Sequence, residues 1–308
     1  MNVWDPERVV DEALAGVLLR EQFPDLAFES LEPLGVGWDV TVYLVDGTWA
    51  VRFPRREVAV PTLLREIALL PGLAPRLPLP VPVPVLGGRP TDGYPWPFWG
   101  ARVVPGVELA ESGLGDEQRS AAARDVGSFL AVLHDPSVAR EHGTELPQDP
   151  MKRAIPSTRG PMTREFLDNL AARGTWDKGS AVDRAVDDVL AAGQPLGAPD
   201  GAAVLVHGDL HLRHLLVTPE GAAAGVIDWG DVCLADPALD LALAYAAFSG
   251  ASRAAFFEAY GAQPGETREL RARVLALCLC AALADNADHN GMPRMLAEAL
   301  AGVQRATT

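Results

Sequence analysis

The chain has 308 residues, which suits one large domain or two lobes, and its 48 % hydrophobic and 22 % charged residues are typical of a soluble globular protein. A net charge of −15 excludes a nucleic acid or an anionic membrane as partner, because either needs a basic surface; an acidic surface serves solubility first and also suits a cationic ligand. The three cysteines form no C-x-x-C pair and provide no disulfide framework, and we find no stretch apolar enough to cross a membrane, so we expect a cytoplasmic protein.

The N-terminal part of the chain predicts one helix and then a group of strands. Apolar residues at helical spacing favour an amphipathic helix within 2–23, with Asp5-Pro6 as its cap. Asp46-Gly47 has the sequence of a tight hairpin turn, a second helix is predicted at 58–70, and the Pro-rich stretch 77–85 predicts an extended edge segment. The strands of this part are predicted at 28–34, 40–45, 48–53 and 94–106.

Beyond Gly106 the pattern becomes helical. The stretch 135–160 is rich in proline, glycine and charge and predicts an exposed loop, and 290–293 predicts a break in the last helix. Helices are predicted at 116–134, 162–173, 180–192, 252–260 and 267–304.

Ionisable residues are concentrated between Val204 and Tyr245. Two short apolar runs, 204–206 and 215–217, flank a polar loop, and a third run ends on Asp228. Because rigid strands that end together bring their polar neighbours to one place, we expect an active site here. Its candidate residues are His207, Asp209, His211, His214 and Asp228.

Two chemistries fit these five residues. All five are acceptable Zn²⁺ or Mn²⁺ ligands, so a metal-dependent hydrolase is one reading. The other is phosphoryl transfer, since protein kinases use H-R-D-L-x-x-x-N, in which the Asp takes the substrate proton and the Asn binds Mg²⁺. No G-x-x-x-x-G-K-S/T motif is present, which removes the P-loop route to nucleotide binding.

The sequence H-G-D-L-H-L-R-H, followed by I-D-W, resembles the catalytic and metal-binding segments of the aminoglycoside phosphotransferase family of antibiotic and small-molecule kinases. The usual family form is H-G-D-L-H-x-x-N. His214 stands in place of the Asn, a departure seen in macrolide phosphotransferases, so the sequence is most similar to that branch.

The resemblance implies an α+β, bilobal, protein-kinase-like fold. Residues 1–105 would form a small β-rich nucleotide-binding N-lobe, and residues 106–308 a larger helical C-lobe with the catalytic loop and the acceptor pocket. Asp209 would be the catalytic base, and His214 and Asp228 would bind Mg²⁺. Because imidazole binds hard Mg²⁺ less readily than oxygen ligands do, His214 predicts Mn²⁺ use or a purely hydrogen-bonding role. The supporting residues would be His207, His211, Asp231 and Asp240.

The nucleotide site implied by the resemblance lies in the N-lobe. Arg52 occupies the place of the kinase lysine that binds phosphates, and only two lysines, Lys152 and Lys178, occur in the chain. Glu66 would pair with Arg52, although a surface helical charge is the alternative, and the Gly35–Gly37 loop that would cover the nucleotide also reads as a plain turn. The complete set of cofactor-binding candidates is Gly35, Gly37, Arg52, Glu66, Arg102 and Val104.

The function that follows from the resemblance is transfer of the γ-phosphate of GTP or ATP to a hydroxyl of a small natural product, an antibiotic that is thereby inactivated. A macrolide-like acceptor comes first, with an aminoglycoside or a nucleoside antibiotic next, and the macrolide branch commonly favours GTP. Sugar, choline or homoserine kinases of the same fold are the metabolic alternative, and a nucleotide-binding pseudokinase is a further one. We expect a monomer or weak dimer whose partners are nucleotide and small-molecule acceptor, without nucleic acid or membrane.

Overall fold

The computed structural model describes residues 6–37 and 39–308, so the predicted cap at Asp5 and Trp38 of the glycine loop lie outside the described residues. The chain divides into two compact units. Unit 1 comprises Met1–Arg76 and Pro80–Val104, and unit 2 comprises Leu77–Leu79 and Pro105–Thr308.

Unit 1 is built on a five-stranded antiparallel sheet in the order β1-β2-β3-β5-β4. Asp46 and Gly47 both have positive φ, 48° and 61°, as a tight hairpin turn between β2 and β3 requires. One face of the sheet buries an aromatic core in which Phe53 stacks on Phe98 with ring centroids 4.6 Å apart. The strands are β1 (Leu31–Val36), β2 (Val40–Val45), β3 (Trp49–Pro54), β4 (Leu86–Gly88) and β5 (Phe98–Arg102).

Among the described residues of unit 1, two α-helices accompany this sheet. The first, α1 (Glu12–Gln22), begins later than the predicted range because Asp11 caps it by accepting the N–H of Leu14. The second, α2 (Val60–Leu73), has short 3₁₀ turns on both sides and places Leu63 against Trp99 of β5.

The stretch Glu57–Arg76 corrects our expectation that no segment could span a membrane. Among the described residues, this stretch of 20 residues is the one helical span that is long and apolar enough by length and composition. Helices that pack in a protein core meet the same two criteria, and α2 buries Leu63, Glu66 and Leu70 in unit 1.

Unit 2 is mainly helical. Its longest helix, α9, packs against α5, α6, α7 and α10, while α3 packs against α8. The helices are α3 (Ser120–Leu133), α4 (Pro136–His142), α5 (Pro156–Ala172), α6 (Ala181–Gly193), α7 (Ala238–Ala247), α8 (Gly250–Tyr260), α9 (Glu266–His289) and α10 (Pro293–Ala306).

Helix α4 and the start of α5 lie where the sequence predicted a loop over 135–160. The L-H-D-P sequence ends α3, whose C-cap is His134. The same residues also start a helix, since Asp135 accepts the N–H of Ser137 and Pro136 occupies the first turn.

Short strands of unit 2 position the polar residues of the 204–245 stretch. One antiparallel pair joins β7 (Val204–Val206) and β10 (Cys233–Ala235). A three-stranded sheet orders β6 (Val107–Glu108), β8 (Leu215–Val217) and β9 (Ala223–Val226). The 207–214 loop therefore connects β7 to β8, and the 227–232 loop connects β9 to β10. A unit built on a five-stranded sheet and a second, mainly helical unit confirm the predicted α+β class.

Candidate active site

His207 begins the 207–214 loop and is fully buried. Its Nδ1 accepts the N–H of Asp209 at 3.3 Å, so its proton is on Nε2, which donates to the Ile227 carbonyl at 3.0 Å. Burial lowers the pKa of His207, and the ring packs against Trp229 with centroids 4.8 Å apart. His207 thus joins the two loops as a neutral side chain.

Asp240 of α7 binds the backbone at the start of the same loop. Its carboxylate accepts the N–H of His207 at 2.8 Å and that of Gly208 at 3.0 Å, and His134 Nε2 lies 3.1 Å away. Burial raises the pKa of Asp240, but the hydrogen bonds from His134 and His207 outweigh burial and hold that pKa below its ordinary value. Asp240 therefore remains ionised and fixes the loop to the helical core.

Gly208 is where the 207–214 loop touches the 227–232 loop. Its φ is +86°, and a Cβ atom there would lie 2.3 Å from the carbonyl oxygen of Asp231. Glycine is required on both counts, because the left-handed conformation strains other residues and the contact leaves no room for a side chain.

Asp209 follows Gly208 in the 207–214 loop, and 24 % of its side chain is exposed. Burial raises its pKa to about 6, while His214 and Arg153 act in the opposite direction. A carboxylate with such a pKa is ionised near neutral pH and is a stronger base than an ordinary aspartate, as general-base catalysis requires.

His214 lies between Asp209 and Asp228. Its Nδ1 donates to the Asp209 carbonyl oxygen at 2.8 Å, which leaves the lone pair of a neutral ring on Nε2. That Nε2 lies 3.5 Å from Oδ2 of Asp228. Two electron-pair donors that face each other at this distance fit a shared divalent cation, so these residues are suited to bind a metal.

Asp228 has an unusual backbone conformation. It is one of the few described non-glycine residues with positive φ, at +66°. Aspartate tolerates this region better than most residues, and such conformations persist where the surroundings fix them, often at functional sites. The side chain is 43 % exposed and thus accessible to a ligand.

His211 stacks on His214 with ring centroids 3.8 Å apart and an angle of 28° between the planes. Ligand atoms of Asp209, His211 and His214 lie within 4.8 Å of one another, as in a metal cluster. However, ring nitrogens bind metals in the plane of the ring, so two stacked rings do not converge on one ion. In addition, His211 Nδ1 accepts the N–H of Arg213 at 3.2 Å, which assigns the proton to Nε2. The stacking of the two rings and the tautomer of His211 therefore argue against the tetrahedral zinc site of a hydrolase. Burial also lowers the pKa of His211 well below its ordinary value.

Arg153 is a residue of this site that the sequence reasoning missed. Its guanidinium donates to the Gly208 carbonyl at 2.7 Å and to Asp231 at 3.0 Å, and it lies 3.6 Å from Asp209. No motif in the sequence indicates this contact, because Arg153 precedes Gly208 by 55 positions and belongs to the stretch predicted as a loop.

In unit 1, Arg52 and Glu66 form a pair as the resemblance implies. Arg52 Nη2 lies 3.6 Å from Glu66, and the guanidinium sits over the Trp99 ring, 5.6 Å from its centroid. Trp99 donates its indole N–H to Glu66 at 3.2 Å. Glu66 is 2 % exposed, so its alternative reading as a surface charge is wrong.

The other nucleotide-site candidates lie in β1 and β5 or within two residues after them. Neither Gly35 nor Gly37 has positive φ, and a Cβ atom at Gly35 would meet no atom within 4 Å, so the fold does not itself require glycine there. Arg102 ends β5 with its guanidinium 4.1 Å from the centroid of Trp49, and Val104 is the last residue of unit 1.

Solved structures of antibiotic phosphotransferases resemble the chain over nearly its full length. The GDP and kanamycin complex of APH(2")-IIia has a TM-score of 0.67 and 22 % identity, with 95 % of this chain and 97 % of that chain covered. The apoenzyme of macrolide 2'-phosphotransferase MphH from Brachybacterium faecium has a TM-score of 0.56 and 25 % identity, with 95 % and 98 % covered. The predicted kinase-like fold is thereby confirmed.

A curated relative matches over a shorter stretch. Uncharacterized protein YcbJ of Bacillus subtilis (strain 168) is 38 % identical over 60 residues, which are 20 % of this chain and 20 % of the length of that relative. The description "Phosphotransferase enzyme family" belongs to a family model that matches residues 30–277. Because this match covers most of the chain and includes both loops of the site, the chain belongs to the phosphotransferase enzyme family, APH.

Proposed function

We propose that the protein is an antibiotic kinase that transfers the γ-phosphate of GTP or ATP to a hydroxyl of a small natural product. The observation that carries this proposal is the arrangement of His214, whose two ring nitrogens face the Asp209 backbone and the Asp228 carboxylate. This arrangement supports the proposal, because a general base beside a pair of metal ligands is the minimum set for phosphoryl transfer from a nucleotide.

Asp209 is the proposed base. Its carboxylate orients the acceptor hydroxyl and accepts the hydroxyl proton as the oxygen bonds to the γ-phosphorus; the bond from that phosphorus to the β–γ bridging oxygen breaks, and the nucleoside diphosphate leaves. His207, Asp240 and the Gly208 contact hold the backbone around Asp209, so the carboxylate needs little rearrangement when the acceptor binds.

His214 and Asp228 are the proposed ligands of Mg²⁺, with Mn²⁺ as the alternative. When bound, the ion would neutralise charge on the nucleotide phosphates. The chain's own contribution is to keep the Nε2 lone pair of His214 directed at Asp228 through the Nδ1 hydrogen bond to Asp209. One nitrogen and one carboxylate oxygen form a donor set that favours Mn²⁺ more than an all-oxygen set does.

Arg52 is the proposed phosphate-binding cation of unit 1. Glu66 and Trp99 both contact its guanidinium, which restricts the side chain before the nucleotide binds. Gly35 and Gly37 would let the backbone approach the phosphates, and the backbone near Arg102 and Val104 would contact the base.

For the acceptor, we place a macrolide-like compound first. His214 in the position of the usual Asn supports this choice. Neighbours are solved with GDP and with ATP, so both GTP and ATP are donors to test.

A thermal-shift titration with Mg²⁺-GTP and Mg²⁺-ATP, run beside Asp228→Asn, tests the proposal. A nucleotide at a hundredfold its Kd adds about 2.7 kcal/mol to the stability of the native state. We expect stabilisation that weakens in the variant, followed by transfer of labelled phosphate to a hydroxylated antibiotic. Stabilisation by Zn²⁺ or Mn²⁺ alone, with no response to either nucleotide, would refute the kinase and favour the hydrolase.

A further inference from the structure

The segment 147–153 connects α4 to α5 and binds the strand that follows the 227–232 loop. The N–H of Leu234 in β10 donates to the Pro147 carbonyl at 2.9 Å, and the N–H of Asp149 donates to the Leu234 carbonyl at 3.0 Å. The segment is therefore attached to β10 before it reaches Arg153.

The backbone then makes a tight turn that determines where Arg153 lies. Asp149 and Lys152 both have positive φ, 29° and 50°, which is unfavourable for non-glycine residues. Hydrogen bonds offset this backbone cost. The Asp149 carboxylate accepts the N–H of Arg153 at 2.7 Å and that of Ala154 at 2.9 Å. Arg159 donates to the Met151 carbonyl at 3.0 Å. A turn with this many bonds keeps one conformation.

From this turn the guanidinium of Arg153 reaches both loops of the site. One nitrogen, Nη1, donates to the Gly208 carbonyl at 2.7 Å and lies 3.6 Å from Oδ1 of Asp209. The other, Nη2, donates to Oδ2 of Asp231 at 3.0 Å. We call these contacts the Arg153 bridge. Only arginine combines a permanent charge with two donors in a fixed fork, and 21 % exposure of the side chain limits competition from water.

We propose that Arg153 is a positioning residue that fixes the loop of the base, Gly208-Asp209, to the loop of the metal ligand, Asp228–Asp231. The inference rests on the proposed function for its catalytic value, but the attachment of one loop to the other is a property of the protein alone. Gly208 and Asp231 are already in backbone contact, and the bridge prevents that contact from opening.

Amide hydrogen exchange of Arg153→Gln tests the attachment without any assay of activity. The matched control is Arg164→Gln, since Arg164 of α5 has a similar exposure, 26 %, and pairs with two carboxylates, Asp183 and Asp187, away from both loops. We expect about tenfold faster exchange within 207–211 and 229–232 in Arg153→Gln, and unchanged exchange there in the control. Equal exchange of these two segments in wild type and Arg153→Gln would overturn the proposal.

Kinetics of Arg153→Lys then measure what the bridge contributes to transfer. Lysine retains the charge but cannot bond Gly208 and Asp231 as a fork. We expect kcat to fall roughly tenfold while the KM of the nucleotide stays within about twofold, the pattern of a lost transition-state arrangement. An unchanged kcat would contradict the positioning role. If the wild type transfers phosphate to no acceptor, the proposed function fails, and the exchange experiment still decides whether Arg153 joins the loops.

Discussion

His214 donates its Nδ1 proton to the backbone carbonyl of Asp209 at 2.8 Å, so the ring of one residue is oriented by the main chain of the other. The bond fixes both the tautomer and the direction of Nε2, which points to Asp228. Replacement of the imidazole therefore changes the chemistry offered to a metal without a change in the position of the base.

We expect His214→Asn to shift the metal preference from Mn²⁺ toward Mg²⁺. The amide N–H₂ of Asn can still donate to the Asp209 carbonyl, while its oxygen replaces the imidazole nitrogen as a harder ligand. The ratio of transfer rates with Mn²⁺ and Mg²⁺ should fall roughly tenfold. His142→Asn, a histidine outside both loops, is the control. If the ratio in His214→Asn equals that of wild type, His214 has only a hydrogen-bonding role.

The rate of transfer should depend on the ionisation of Asp209. Burial raises its pKa to about 6, and only the ionised carboxylate can accept a proton. We expect kcat/KM to be constant above this pKa and to fall tenfold for each pH unit below it. The pH profile of wild type measures this directly. A profile that stays flat down to pH 4.5 would show that another group takes the proton.

The same carboxylate should reduce the stability of the fold at neutral pH. Because the pKa of Asp209 is higher in the folded protein, its stabilising contribution is complete below the ordinary value of 3.8 and is lost as pH rises through about 6. Asp209→Asn avoids this loss, so we expect the variant to be inactive yet more stable than wild type at pH 8, by at most about 3 kcal/mol. Urea unfolding at pH 5 and pH 8 provides the comparison. A variant that is less stable at pH 8 would be the opposite result.

Gly208→Ala should abolish transfer because the added methyl group clashes with the Asp231 carbonyl oxygen, and not merely because of backbone strain. Gly208 and Gly261 have nearly the same φ, +86° and +82°, but a Cβ atom at Gly261 meets no atom within 4 Å. Gly261→Ala therefore measures the strain alone, which costs about 1 kcal/mol. We expect a larger loss of stability in Gly208→Ala and a fall in kcat that Gly261→Ala does not show. Equal effects of the two substitutions would mean that the contact with Asp231 is unimportant.

The ion cluster of Glu298 with two arginines should be important for stability. Glu298 accepts from Arg119 at 2.6 Å and from Arg305 at 2.8 Å, and these arginines are 2 % and 9 % exposed. Glu298→Gln removes the carboxylate partner of Arg119, while Arg305 keeps Asp116 at 2.6 Å, and we expect this loss to cost about 3 kcal/mol.

An exposed ion pair provides the control for this substitution. Lys178 and Asp168 are 2.7 Å apart with 63 % and 51 % exposure. Asp168→Asn should change the free energy of unfolding by less than about 1 kcal/mol. Chemical unfolding of both variants tests the contrast, and a similar small effect in Glu298→Gln would show that water reaches the cluster.

The sequence alone predicted those elements that are determined by residues close together in the chain. Alternating apolar residues and the Asp46-Gly47 turn gave β2 at its observed bounds, Val40–Val45. The 207–228 stretch also brings its residues together as predicted, because short strands on both sides fix its loops.

The contacts that sequence did not predict are distant along the chain. Arg153 is hydrogen-bonded to Gly208, which lies 55 positions later in the sequence. His134 is hydrogen-bonded to Asp240, which lies 106 positions later. No periodic pattern in the sequence indicates either contact, because each depends on how helices and loops pack together. The cap of α4 was missed for a different reason: Asp135-Pro136 both ends one helix and begins the next.

Lys152 occupies the left-handed turn directly before Arg153, and its side chain is exposed. Only Lys178 shares its chemistry within the chain, besides the terminal amine. With Lys178→Arg and the terminal amine chemically blocked, an amine-directed fluorophore applied at a pH where lysine reacts would label this turn selectively. The probe would sit one residue from the guanidinium that contacts Gly208 and Asp231. Acceptor binding could then be followed optically, compound by compound, before any product is identified.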